Sequence, residues 1–234
     1  MRKPLVAALL SLAAGIVCAA PPLPPDFTTD YILVRAGLTV AASTVSLSRN
    51  GNMAIYTSVA RPTGMLAMLI KDEITERSTL DISGDELLMH EYAYIHRGSS
   101  KPRDMFVTWH DGVISGTYKG GELELMAAPD TLDPFSLQLR LMSDLAGNGD
   151  LFEYQVVDGR KIKEFRFARM GSETISVPAG RFDVIRVAKL QAPGEVAEIT
   201  FWFAPALHFL PVRIEHVEED GARSVLSLKT VEWR

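Results

Sequence analysis

The chain has 234 residues, 47% hydrophobic and 23% charged, with 24 basic against 29 acidic side chains and a formal net charge of −5. A diffuse acidic balance argues against nucleic acid as a partner, because neutralising phosphates takes a concentrated basic surface. A single cysteine, Cys18, excludes a disulfide framework, so the fold must be held by its core.

The chain opens with Arg2 and Lys3 ahead of an apolar run from Leu5 to Val17, which ends in small residues and prolines. That is the pattern of a secretory signal peptide. The run is shorter than the roughly 20 residues a membrane-spanning helix needs. Val17 and Ala19 satisfy the small-residue rule for cleavage before Ala20, which predicts a signal over 1–19 and a mature chain of 215 residues (234 − 19). Val17 is a poor neighbour for lipid attachment at Cys18, and cleavage after Ala19 discards that cysteine. The expectation is a periplasmic protein whose residues 20–234 form one β-rich domain, a size such domains commonly reach.

Beyond the tether-like "PPLPP", short segments rich in β-branched and aromatic residues alternate with turn residues. "TVSLSRNGNMAIYTSVA" places a hairpin turn at Asn50-Gly51. "LDISGDELLMHEYAYI", "VTWHDGVISGTYKGGELELM" and "YQVVDGRKIKEFRF" repeat the form, with returns at Gly84, Gly112, Gly120, Gly121 and Gly159. Turns about 8–12 residues apart predict antiparallel β-structure as a sandwich, barrel or half-barrel. No strand–helix–strand rhythm supports a parallel nucleotide-binding sheet.

Two stretches break the rhythm. "RPTGMLAMLIKDEITER" predicts a short helix or loop leading into a strand from about Ile74. Its methionines suit either gap-filling in a core, the commoner use, or a hydrophobic surface that can repack. "PDTLDPFSLQLRLMSDLAGNG" predicts a helix with Asp133 as N-cap, Pro134 at the first helical position and Gly147 beyond its end. Phe135, Leu139 and Met142 follow helical spacing, with Leu137, Leu141 and Leu145 on an adjoining stripe. Only Gln138, Arg140, Ser143 and Asp144 supply a polar strip, so this helix should lie against the sheet.

In "ETISVPAGRFDVIRVAK", Pro178 presets φ and Gly180 can supply positive φ, so the chain reverses at "VPAG" and pairs "ETIS" with "FDVIRVAK". The next pair is "EVAEITFWFAP" with "LPVRIEHVEED". Alternation puts Ile199, Phe201 and Phe203 on one face and Trp202 on the other, next to Arg213. Val212, Ile214 and His216 share a face.

The order "DPFSLQLRLM", "ETISVPAGRFDVIRV", "TFWFAPALHFLPVRIEH" resembles the domain-of-unknown-function 3108 family of exported bacterial proteins. That family is similar in fold to the periplasmic lipoprotein-localisation factors. The resemblance implies a mainly β fold: a strongly curved antiparallel sheet, or half-barrel, wrapping one main helix, with a second short helix, around an apolar cavity for acyl chains. Periodicity by itself indicates only antiparallel strands and one mostly apolar helix.

Catalytic groups are sparse. His90, His96, His110, His208 and His216 are scattered. "HEYAYIH" sets His90 and His96 on one strand face with Tyr92 and Tyr94, but about 20 Å apart, too far for one metal ion. "GSS" at Gly98 and "GSE" at Gly171 lack the Gly-x-Ser-x-Gly elbow. Asp72 with Glu73, and Glu218 with Glu219, are adjacent acids better read as solvated charge than as a glycosidase pair. Glu91 and Asp183 have no identifiable base or nucleophile beside them. The expectation is a non-enzymatic binding or carrier domain, without cofactor or metal, for an apolar or lipid-like ligand such as an acyl chain. Phe135, Leu139, Met142, Phe201 and Phe203 are its candidate lining. The competing expectations are a dry, close-packed core at those positions and an envelope assembly module that grips a partner protein by a sheet edge.

Overall fold

The computed structural model describes residues 23–69, 71–83, 86–98 and 103–234. The signal segment, its cleavage site, Cys18, the return at Gly84 and the serines of "GSS" lie outside the described residues. Strands β1 (Phe27–Arg35), β2 (Leu38–Asn50) and β3 (Met53–Pro62) lead into the single-turn helix α1 (Leu66–Leu69). Then come β4 (Glu73–Ser83), β5 (Glu86–Arg97), β6 (Met105–His110), β7 (Val113–Tyr118) and β8 (Gly121–Met126). Helix α2 (Ser136–Asp144) crosses over to β9 (Leu151–Asp158), β10 (Lys161–Val177), β11 (Gly180–Leu190), β12 (Glu198–Ala204), β13 (Leu210–Val217) and β14 (Arg223–Trp233).

All fourteen strands form one antiparallel sheet in the order β8-β7-β6-β5-β4-β3-β2-β1-β14-β13-β12-β11-β10-β9. The chain therefore starts mid-sheet, meanders to one edge, jumps by α2 to the other edge and meanders back. β8 and β9 do not pair, so the barrel stays open along that seam. Register shifts in the β1/β2, β1/β14, β4/β5, β10/β11 and β12/β13 ladders supply the bends that curl so wide a sheet. In β7, Gly116 lies against the Phe106 carbonyl so closely that any side chain would collide with it.

The expected antiparallel strands and the helix after Asp133 are present, with local corrections. Pro178 and Ala179 turn the chain between the paired Val177 and Gly180. The β2–β3 turn is one residue later than expected: Asn50 pairs with Met53, and Gly51, not Asn50, takes positive φ. His90 is the extra residue of a bulge, since Thr79 pairs with Glu91 and Leu80 with Met89. That extra residue flips the alternation, so exposed His90 does not share the face of His96.

Helix α2 begins formally at Ser136, yet Asp133 does the capping. Its carboxylate accepts from the N–H groups of Phe135 (2.9 Å) and Ser136 (2.8 Å), and its carbonyl accepts the first helical bond from Leu137 (3.1 Å). The Asp133 N–H donates back to Ser136 Oγ at 3.1 Å, the reciprocal arrangement of a capping box. Ser78 Oγ of β4 also donates to Asp133 (2.7 Å), fastening the helix start to the sheet. Leu137, Leu139, Leu141, Met142 and Leu145 are all buried.

Candidate functional site

Because neighbouring strands run in opposite directions, successive turns fall at alternate ends of the half-barrel. One end holds both chain ends of the sheet, where Arg234 N–H donates to Asp26 carbonyl (2.8 Å), together with the α2 crossover. This end is plugged. The other end holds the β1–β2, β3–β4, β5–β6, β7–β8, β9–β10, β11–β12 and β13–β14 connections and, among the described residues, no helix other than α1.

All five sequence candidates are buried. Phe135 stacks on Tyr56 of β3 with centroids 4.0 Å apart, and Leu139 and Met142 are fully buried beside it. Phe203 is buried and stacks on Phe201 at 5.5 Å, confirming their common face. Phe201, also buried, meets Phe167 edge-on at 6.1 Å and pairs in register with Ile214, the first half-exposed residue beyond it. Trp202 faces away, with the Arg213 guanidinium 4.8 Å over its ring as expected, and its indole N–H donates to Glu173 (2.9 Å).

Around the helix axis, at about 100° per residue, Leu139 and Met142 lie about 100–160° from Arg140 and Asp144. The apolar side meets the sheet. The polar side borders a cavity of about 590 Å³ lined by Leu87, Leu132, Phe152 and Tyr154 but also by Glu86, Asp130 and Glu153. Asp144 there accepts from Arg140 (3.0 Å) and from the Tyr154 hydroxyl (2.7 Å), and burial followed by the nearby Asp144 charge pushes the Tyr154 phenol up.

At the open end, ladder partners carry the inner face outward: Tyr94 from β5, Ile74 from β4, Leu33 from β1, Leu226 from β14, Ile214 from β13 and Ile199 from β12. All are half-buried, so solvent reaches an apolar concave surface here. A cavity of about 640 Å³ opens at its side, lined by Phe165 and Leu190, by the charged Asp158, Lys163, Glu164, Arg166 and Lys189, and by the β11–β12 loop. Lys189 Nζ lies 4.3 Å over the Phe165 ring and is bonded to Glu195, whose carboxyl that bond holds low. Lys163 donates to Asp158 (2.6 Å), which raises its ammonium pKa. The seam is drawn together at this end by Arg160, which donates to the carbonyls of Glu122 (2.7 Å) and Tyr118 (3.4 Å).

One acid sits within the bowl. Glu76 is half-buried next to Ile74 and accepts from the Tyr92 hydroxyl (2.7 Å). Burial pushes its carboxyl up to about 7, against the Tyr92 bond, with the Asp133 carboxyl adding to the rise. Asp133 is also raised by burial, opposed by its four hydrogen bonds, and its Oδ2 has no partner. The open-end residues were missed in the sequence because alternation marks a face without marking which end of the strand the helix covers. Alternation does set Ile199 on the face of Phe201 and Phe203, and that is the available signal. Among the described residues, no group of three or more His, Cys, Asp or Glu is placed to hold a metal ion.

The fold has a counterpart among solved structures. A beta-barrel-like protein of domain of unknown function DUF1849 from Brucella abortus superposes with a TM-score of 0.58 at 9% identity, over 91% of this chain and 99% of that one. A LolA superfamily protein from Nitrosomonas europaea gives 0.32 at 11% identity, over 92% and 89%. No curated protein matches the chain. The family model described as "Protein of unknown function (DUF3108)" matches residues 26–227, nearly the whole sheet, and the chain belongs to that family.

Proposed function

We propose that this protein is an exported, non-catalytic binding domain that carries an amphipathic, lipid-like ligand on the inner face of its open end. The observation that carries this reading is the contrast in burial along one continuous face. The same apolar stripe that is sealed under α2 continues, half-exposed, across Ile74, Tyr94, Ile199, Ile214 and Leu226. A cavity of about 640 Å³ beside it falls within the ~300–1,000 Å³ range of ligand sites. Phe165 and the inner stripe would take an apolar tail, and Lys163 and Lys189 at the rim would face a polar head. Export rests on the signal pattern of residues 1–19.

The five residues singled out from the sequence support the bowl from below; the bowl itself is formed by residues nearer the turns. Native mass spectrometry of protein purified from its own envelope, followed by solvent extraction, tests the reading. The expected result is a bound amphiphile that is lost in Ile199→Arg and Ile214→Arg variants whose unfolding midpoints stay close to the parent's. Empty protein that also fails to take up a fluorescent fatty-acid probe would overturn it.

A second reading, a module that grips a partner protein by a strand edge, is favoured by β8. Among the described residues its outer edge takes a hydrogen bond from Arg160, whereas the β9 edge is bridged by Leu132 through bonds to Gln155 and Val157 (2.8 and 2.9 Å). Exposed Glu122 and Glu124 discourage promiscuous pairing there. A companion protein that copurifies without extractable amphiphile is the outcome that selects it.

A further inference from the structure

Exposed apolar side chains collect at the open end. Met65, Met68 and Leu69 are 82, 83 and 80% exposed at the tip of the β3–β4 connection, and Leu38, 68% exposed, stands on the neighbouring β1–β2 turn. Thr63 N–H donates to the Val40 carbonyl (3.1 Å), tying the two turns together. The sequence alone favours a core role for these methionines, and the structure corrects that. Four large apolar side chains held in water on adjacent turns mark a contact surface.

The charges around this tip are sorted. Arg61, Lys71, Arg97 and Arg103 are exposed, while the acids Asp72, Glu73 and Asp104 are half-buried. Glu73 accepts from Arg61 (2.7 Å), Asp72 faces His96 (3.4 Å) and Asp104 accepts from the His96 N–H (3.1 Å). Seen from outside, the tip is apolar within a basic collar, on a chain with a net charge of −5. The acids Glu219 and Asp220 are exposed at the same end, on the β13–β14 turn beyond the β1–β2 turn.

We infer that the α1 tip seats on the surface of an anionic phospholipid bilayer. Methionine and leucine enter the boundary between headgroups and acyl chains, and the basic collar meets the lipid phosphates. No helix among the described residues is long and apolar enough to cross a membrane, so the contact is superficial. Repulsion of Glu219 and Asp220 tilts the molecule so that the α1 side leads. The contact stands independently of the carrier reading, but it brings the open end of the half-barrel to the lipid surface.

Sedimentation with vesicles tests this. The mature protein is expected to bind phosphatidylglycerol–phosphatidylethanolamine vesicles at least about tenfold better than phosphatidylcholine vesicles, with binding falling as salt rises. Met65→Asp with Met68→Asp, and separately Arg97→Glu with Arg103→Glu, should each reduce binding roughly tenfold or more, in line with the contribution of individual basic and apolar groups. Glu219→Lys with Asp220→Lys should strengthen it. These positions are exposed, so unfolding midpoints should not move. Retention of the extractable amphiphile by the tip variants would show that a binding loss belongs to the tip and not to the bowl. Absence of vesicle binding, binding indifferent to these changes, or capture of a protein by the tip without vesicle binding would each overturn the proposal.

Discussion

The two ends of the half-barrel are made from the same strands and differ in what covers their inner face. At one end α2 stacks Phe135 on Tyr56 and leaves Leu139 and Met142 buried. At the other, Ile74, Ile199 and Ile214 face the same interior and stay half-exposed. Hydrophobicity of a strand position therefore says which side it faces, while the presence of a covering element decides whether it serves stability or remains available for contact.

Truncation is the strongest way to break that comparison. Leu139→Ala should cost about 2–5 kcal/mol, because a buried isopropyl group is lost and the packed surroundings collapse only partly. Ile214→Ala should cost under about 1.5 kcal/mol, since its side chain already meets water. Urea unfolding of both variants checks this, and equal losses would mean that the open end is packed like the plugged one. Next in size, Asp133→Ala removes the acceptor for Phe135, Ser136 and Ser78 and should cost about 2–3 kcal/mol. Asp133→Asn, which keeps one oxygen acceptor, should recover much of that loss in the same unfolding experiment.

The smallest effect sharpens the border between the two ends. Burial pushes the Glu76 carboxyl up to about 7 in the folded chain from an ordinary 4.5, so the folded state binds more protons than the unfolded state between those values. Its contribution to stability is therefore most favourable below about pH 4.5 and declines as pH rises towards 7. Glu76→Gln should leave stability near pH 4 almost unchanged and raise it at pH 8. Guanidinium unfolding at the two pH values reads this directly, and a gain equal at both would assign the effect to something other than ionisation.

The antiparallel class, the hairpin at Pro178 and the cap at Asp133 were legible because each is a local matter: a turn residue, a preset φ, an oxygen placed before a helical run. The Trp202–Arg213 contact was legible for the same reason, since two alternating strands and one tight return fix the facing pairs. What could not be read locally was the bulge at His90, where one additional residue reverses the face of everything beyond it. The depth at which α2 inserts was also out of reach, because it depends on pairing between strands far apart in sequence. Met65 and Met68 show the limit from the other side: an apolar cluster has one composition whether it is buried or presented, and only the surrounding chain decides which.

The mid-sheet seam between β1 and β14 has a consequence for how the molecule assembles. Every other ladder joins strands that follow one another in the chain, but here Phe27 must find Trp233. Closing so long a span is the slowest kind of contact to make, because loop entropy is lost before any pairing is gained. During synthesis from the amino terminus, "FTTDYILVR" has one row of backbone groups unsatisfied until the final strand emerges, and it is prone to stick to other chains for that time. Loss of the last eleven-residue strand would remove more than an edge. It would divide the molecule into an eight-stranded and a five-stranded sheet linked through the α2 crossover.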